Sequence, residues 1–219
     1  SVGNKFHHER WWGSLLHKTK SSNLSNLEHQ WSELYQFETG NKNNFTSIIN
    51  GKQEKIDFSK YIQYKYSDII QFLDDHNDFE TFIELGSGWG RNILKLQKFF
   101  PKFKYVACEL SKAGRDVTKL FSKKYALNID VKSFNYKKWK SLKFFRSKKT
   151  IVFTSYSIEQ VSKLDKGFFY YLLATFDELV VYHIEPVLFQ IEGRKFPFDE
   201  YYNKHYNHNL FSILKELQN

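Results

Sequence analysis

The stretch FIELGSGWGRN, Phe82–Asn92, sets glycines at positions 86, 88 and 90 directly behind an apolar run and directly ahead of a segment with helical spacing. Strand, glycine turn and helix in that order point to an open sheet whose ligand sits beyond the carboxyl ends of the strands, with the first strand-to-helix turn as its cradle. Glycine suits such a turn because the backbone can take positive φ and approach a ligand without a Cβ in the way.

The flanking sequence repeats the alternation. Ahead of the turn, FSKYIQYKYSDIIQFL places Tyr61, Ile62, Tyr66, Ile69, Ile70 and Leu73 at helical spacing, which predicts an amphipathic helix. Behind it, RNILKLQKFF reads as a helix ending before Pro101, KYVACEL as a second strand and Lys112 to Tyr125 as a second helix. IDVKSF, TIVFTSY and ELVVYHI follow as strands, with a helix around Gly167 to Thr175, and the chain closes on a loop and a helix. Strands alternating with helices predict an α/β fold with a mainly parallel sheet flanked by helices. The first residues are polar and irregular, with a short helical segment over 27–37. The expected organisation is an N-terminal cap or lid over 1–57 and one domain over 58–219.

Composition sets outer bounds. A chain of 219 residues with 41% hydrophobic and 26% charged side chains is globular, and 19% aromatics imply a ring-packed core. A net charge of +9 favours anionic partners. The single cysteine, Cys108, excludes an internal disulfide and a multi-cysteine zinc cage. His7, His8, His205 and His208 lack supporting ligands, so no metal is expected. No run approaches the roughly 18–20 apolar residues that span a bilayer, and the first residues lack a signal-peptide core, which implies a cytoplasmic chain. The sequence contains no methionine, as expected of a trimmed or processed chain or a piece of a longer parent.

Spacing separates two uses of the glycine turn. A dinucleotide fingerprint needs its third glycine three positions after the second; here Arg91 holds that place, while Glu84 stands two positions before Gly86. The resulting E-x-G-x-G-x-G pattern resembles motif I of the class I, Rossmann-like methyltransferases that use S-adenosylmethionine. The resemblance implies that Glu84, Gly86, Ser87, Gly88 and Gly90 form the cofactor turn. It also implies that Glu109, nineteen residues after Gly90, takes the ribose hydroxyls, with Leu110 beside it. A carboxylate suits that task, since two neighbouring hydroxyls can donate to its two oxygens. Asn135 or Tyr136 would border the adenine, where the family more often has Asp. Tyr156 and Ser157 would lie near the sulfonium.

The cofactor itself carries the electrophile, so the protein supplies alignment and, for a hydroxyl acceptor, a base. Glu159 in SYSIEQV and His183 and Glu185 in YHIEPV stand at the ends of the fourth and fifth strands and are the candidate catalytic residues. SIEQ, HIEPV and the tail YNKHYNHNL also resemble bacterial methyltransferases acting on sugars and other small molecules. The expected function is methyl transfer from S-adenosylmethionine, leaving S-adenosylhomocysteine, to a small-molecule or sugar hydroxyl.

Two rivals remain open. Lys132 to Lys149 holds eight basic and no acidic residues, interleaved with Phe134, Tyr136, Trp139, Phe144 and Phe145, a composition suited to single-stranded nucleic acid and to an RNA or polyanion acceptor. A non-catalytic binding or scaffold domain gains if Trp89 blocks the cleft. The tandem Trp11 and Trp12, with Trp31, would form a lid, an aromatic platform or the packing of the cap. The family's closing antiparallel strand pair has no counterpart here, so the edge of the fifth strand is expected to be covered by the terminal helix, a second subunit or further residues of a longer parent.

Overall fold

The computed structural model describes residues 9–10, 12–17, 20, 44–49, 52–141, 147–191 and 206–218. The chain divides into two compact units, one formed by 18–78 and the other by 1–17 together with 79–219. The boundary expected at residue 57 falls within the first of these. The segment over 27–37 lies outside the described residues.

In the unit 18–78, β1 (Asn44–Ile49) and β2 (Lys52–Asp57) form an antiparallel hairpin in the register Asn44↔Asp57 to Ile49↔Lys52. Ahead of residue 58 the sequence predicts only polar, irregular chain and a short helical segment, so this hairpin is a correction. Its strands show the β-branched and aromatic content that favours pairing, Phe45, Thr46, Ile48 and Ile49. Helix α1 (Phe58–Asp75) follows at once. Asp57 caps it, its carboxylate accepting from Lys60 N at 2.7 Å and satisfying an amide with no partner inside the helix. Tyr66, Ile69 and Leu73 are buried at helical spacing, as the periodicity predicts.

The second unit contains an N-terminal helix, described at 9–10 and 12–17, and a five-stranded parallel sheet. Its strands are β3 (Thr81–Leu85), β4 (Lys104–Glu109), β5 (Ile129–Ser133), β6 (Lys149–Ser155) and β7 (Glu178–Ile184). The spatial order is β5-β4-β3-β6-β7, with every neighbouring pair parallel. The connections are α2 (Arg91–Phe99), α3 (Lys112–Lys124), a basic 3-10 segment Tyr136–Ser141, and α4 (Gly167–Thr175). A four-residue helix, α5 (Leu188–Ile191), and the terminal α6 (Leu210–Leu217) complete it. This is the doubly wound, Rossmann-like α/β arrangement. The chain winds outward from β3 to β5, then resumes at β6 on the other side, so the order reverses between β3 and β6.

Both faces of the sheet are apolar, as strands covered on two sides must be. Tyr105, Phe82, Phe153 and Tyr182 form an aromatic row across β4, β3, β6 and β7, with successive centroids 5.6, 5.5 and 6.0 Å apart. Opposite, Ile83, Leu85, Val106, Cys108 and Val152 pack with Phe134, Trp139, Phe168, Leu172, Leu210 and Ile213 in one buried cluster. Thus α6 covers part of a face of the sheet. Among the described residues β7 pairs only with β6, and the stretch 192–205 that precedes α6 lies outside them.

Helix α2 starts from Gly90, at φ 81°. A Cβ there would sit 2.6 Å from Cγ2 of Thr118 on α3, so this glycine answers both to conformation and to helix–loop packing. Gly90→Ala is expected to cost about 2–4 kcal/mol, of which about 1–2 is left-handed backbone strain and the rest overpacking. Urea unfolding measures the loss. Adding Thr118→Ala is expected to return part of it, and no recovery would show that the contact is not its cause.

Candidate functional site

Where the strand order reverses, two loops leave the sheet side by side. Gly86 follows β3 and Ser157 follows β6. A Cβ on Gly86 would lie 2.3 Å from Cβ of Ser157, so the first glycine lets the two loops meet. The Ser157 hydroxyl donates to Leu85 O at 2.9 Å, and the Tyr136 hydroxyl reaches the same carbonyl at 3.2 Å and Ser157 Oγ at 2.9 Å.

The glycine turn folds over the end of β4. Gly86 N and Ser87 N both donate to Cys108 O, at 2.7 and 3.1 Å, and Gly88 N donates to Glu109 Oε2 at 2.9 Å. Gly86, Gly88 and Gly90 all have positive φ, which aims these amides back at β4. Glu84, buried inside β3, accepts from Asn92 Nδ2 and ties the strand to the first turn of α2.

Glu109 lies at the end of β4 and is only 6% exposed. Its Oε1 accepts from Ser111 N at 2.8 Å while Oε2 takes Gly88 N. Burial pushes its carboxyl up to about 7, against the pull of the Ser111 and Gly88 amides and of Arg115. Each oxygen retains acceptor capacity after one amide bond. Leu110 is half-buried beside it, and its carbonyl, with that of Glu109, is held by the Arg115 guanidinium at 2.7 and 2.9 Å. Gly114 was not legible as a site residue: a Cβ there would stand 2.7 Å from Gly88 O and 3.1 Å from Cγ of Glu109. It admits the glycine turn against the start of α3.

Ser87 and Trp12 carry the unsettled polar atoms of this region. The Ser87 hydroxyl, on a residue 7% exposed, and Nε1 of Trp12 are both buried without a hydrogen-bond partner among the described residues. A buried unsatisfied group costs about 1–3 kcal/mol, so both are suited to a bound polar molecule. Trp89 instead points into the core against Phe121, centroids 5.8 Å apart, and leaves the turn unobstructed by its own ring.

On the β5 side, Asn135 is half-buried and its side-chain oxygen accepts from Lys137 N at 2.9 Å. Tyr136 is buried edge-on to Phe134, centroids 4.7 Å apart. Burial, then the Glu185 charge, hold its hydroxyl well above the ordinary phenol range. Phe134, Tyr136 and Trp139 belong to the core, so these aromatics of the basic run offer no stacking surface. Phe144 and Phe145 lie outside the described residues, as do Trp11 and Trp31.

The carboxyl ends of β6 and β7 hold the remaining candidates. Glu185 faces the loop after β6 and accepts from Ser157 N, Ile158 N and Glu159 N, each at 3.2 Å. Burial raises its carboxyl, and these amides oppose the shift. Glu159 and Glu185 line one narrow recess with Pro186, Gln190 and Asn207. Burial, reinforced by Glu185, lifts the Glu159 carboxyl to about 8. His183 Nδ1 is 2.7 Å from the Thr154 hydroxyl, and Nε2 is buried with no hydrogen-bond partner. Burial pulls its pKa down to about 4, so the ring is neutral at pH 7. Tyr156, 40% exposed, has φ 51°, an uncommon conformation for a bulky residue.

Asn207 and Asn209 are residues that the sequence reading missed. Asn207 N donates to Glu159 O at 2.7 Å and its side-chain amide to Val161 O at 2.8 Å. Asn209 exchanges two bonds of 2.9 Å with the backbone of Leu164. The closely spaced pair in YNHNL was its only sequence signal. Among the described residues no helix is long and apolar enough to cross a membrane, and no group of three potential ligands is placed to hold a metal.

No protein-family model matches the chain, and no curated protein matches it. Similar solved structures include an S-adenosylmethionine-dependent methyltransferase from Clostridium acetobutylicum ATCC 824, at 17% identity and TM-score 0.46, covering 71% of this chain and 57% of that one. Geranyl diphosphate C-methyltransferase from Streptomyces coelicolor A3(2), in complex with Mg2+, geranyl-S-thiolodiphosphate and S-adenosyl-L-homocysteine, is 16% identical with TM-score 0.40, over 53% and 43% of the two chains. PKMT2 from Rickettsia typhi, in complex with AdoHcy, is 20% identical with TM-score 0.33, over 38% and 16%. The chain thus spans less than two thirds of each of these proteins.

Proposed function

We propose that the chain is an S-adenosylmethionine-dependent methyltransferase acting on a small-molecule or sugar hydroxyl. The observation that carries the reading is the bond from Gly88 N to Glu109 Oε2. It joins the glycine turn to the strand-end carboxylate beside the point where the strand order reverses, the position at which doubly wound sheets bind ligands. The residues fit the cofactor: a buried carboxylate with remaining acceptor capacity for ribose hydroxyls, and the orphaned Ser87 hydroxyl in the turn itself.

When bound, the cofactor supplies a methyl group on a positively charged sulfur. Glu109 holds the ribose, Ser87 and the glycine backbone line the turn, and Leu110 and Asn135 border the base. Tyr136 fixes the floor through Leu85 O, and Tyr156 stands at the mouth beside the acceptor. Glu159 is the proton acceptor for the hydroxyl. Its raised pKa, about 8, matches a base working near neutrality, whereas the depressed His183 value makes that ring a much weaker base. Glu185 orients the Glu159 loop through three amides. The reading is of a cytoplasmic enzyme, and it has the edge of β7, which among the described residues pairs only with β6, covered by the terminal helix or a second subunit.

Calorimetric titration with S-adenosylhomocysteine tests the cofactor. Binding is expected to tighten as pH rises from 6 to 8, because Glu109 accepts two hydroxyls only when ionised and ionises near 7. Glu109→Gln is expected to weaken binding at least tenfold at pH 8 and to flatten that dependence. Affinity unchanged by the substitution would remove Glu109 from the site.

For the acceptor step, turnover should rise with pH toward a plateau above about 8, the deprotonated Glu159 being the active form. Glu159→Gln is expected to lower kcat by about 100-fold or more while leaving S-adenosylhomocysteine affinity within twofold. Full turnover in that variant, on an acceptor found by screening sugar nucleotides, would refute the assignment.

A further inference from the structure

The N-terminal helix touches the glycine turn from outside the sheet. Two of its side chains, three residues apart on one helical face, reach the turn and the neighbouring start of α3. The Glu9 carboxylate accepts from Lys112 N through Oε1 and from Ala113 N through Oε2 at 3.0 Å. Both are amides of the first turn of α3, which have no partner inside their helix. Burial would raise the Glu9 carboxyl, but the Ala113 and Lys112 amides outweigh it and hold it below its ordinary value. Trp12 lies on Gly88. A Cβ added to that glycine would stand 3.2 Å from Cζ2 of the indole.

A tryptophan that only packs still usually satisfies its N–H when buried. Here Nε1 of Trp12 is buried with no hydrogen-bond partner among the described residues, and the Ser87 hydroxyl beside Gly88 in the turn is in the same state. Two unmatched polar atoms at one glycine, one on the indole packed against it and one on the residue that precedes it, mark a place where a polar ligand belongs. The helix is held there at its far end by a charged cap on α3, the helix that begins two residues after Glu109 and Leu110.

We infer that the N-terminal helix completes the cofactor site. Trp12 is a further binding residue whose indole N–H donates to an acceptor of the bound molecule, and Glu9 is a positioning residue that holds Trp12 over Gly88 by capping α3. This rests on the S-adenosylmethionine reading above.

The test uses the whole chain and S-adenosylhomocysteine, with calorimetry and tryptophan emission as readouts. Trp12→Phe keeps a ring on Gly88 and removes the N–H. It is expected to weaken binding about tenfold, the worth of one buried hydrogen bond, with its urea midpoint little changed. It should also abolish the part of the ligand-induced emission change that Trp12 contributes. Glu9→Ala is expected to weaken binding to a similar degree, Glu9→Gln to restore part of it, and Glu9→Ala with Trp12→Phe to be no weaker than the weaker single variant, since the first acts through the second. If the wild-type chain binds and Trp12→Phe binds equally or more tightly, the inference is wrong and the cofactor reading stands. Additive losses would overturn the positioning role of Glu9. A wild-type chain that binds no S-adenosylhomocysteine would overturn both the cofactor reading and this one.

Discussion

Everything at the carboxyl edge of the sheet depends on how the chain leaves β3. Within five residues it must turn from a fully buried strand into α2, and the amides it exposes in doing so must be satisfied. Cys108 O takes two of them, Glu109 takes a third, and Gly90 N closes the turn on Ser87 O at 2.9 Å. That pattern requires left-handed backbone at 86, 88 and 90, which glycine adopts without a Cβ penalty. The turn is therefore built on β4 as much as on β3. Its geometry follows from the end of the neighbouring strand, and Glu109 is part of the turn before it is part of any ligand site.

The same device recurs at the other side of the switch point. Glu185 ends β7 and collects three amides from the loop after β6, as Glu109 ends β4 and collects amides from the loop after β3 and from its own start of α3. In each case a buried carboxylate organises an adjoining loop, and buried charges of this kind persist only when hydrogen-bonded. The consequence differs. Glu109 retains acceptor capacity toward the turn, whereas Glu185 is largely spent on backbone and acts on Glu159 through its field and its hold on the loop. Two carboxylates in one recess with unequal hydrogen bonding are driven to different protonation behaviour.

The sheet was legible because its signals are local. A buried parallel strand is a short apolar run, and TFIEL, KYVACE and TIVFTS each sit between turn and helix signals. Glu109 was singled out through the resemblance, which puts an acidic residue at the end of the second strand, and the structure has it as the last residue of β4. The hairpin over 44–57 was not, since Asn-rich flanks at 41–44 mask its β-branched core. Gly114 and Asn207 were illegible for a different reason: their importance lies in partners 26 and 48 residues away, Gly88 and Glu159. Glu9 docks on amides more than a hundred residues distant. The aromatic-basic run shows a limit of composition. It suits a stacking surface or a solvated face whose rings point inward, composition cannot say which way a ring faces, and Phe134, Tyr136 and Trp139 face the core.

Tyr156 brings the two halves of the site together. Its backbone is left-handed, a conformation that costs a non-glycine residue about 1–2 kcal/mol. The strain is overdetermined by its surroundings. Tyr156 N bonds Ile184 O at 3.0 Å as an extension of the β6–β7 ladder, and the next residue is fixed between Leu85 O and the Glu185 carboxylate. Between those anchors the chain has one residue in which to turn out of the sheet. A glycine would relieve the strain but would remove the phenol ring, which stands exposed. Strained residues held by an overdetermined frame tend to mark functional sites, and here the frame is supplied by the same carboxylate, Glu185, that shapes the proposed base. The placement of Tyr156 thus depends on the Glu185 carboxylate, which also adds to burial in raising the Glu159 carboxyl.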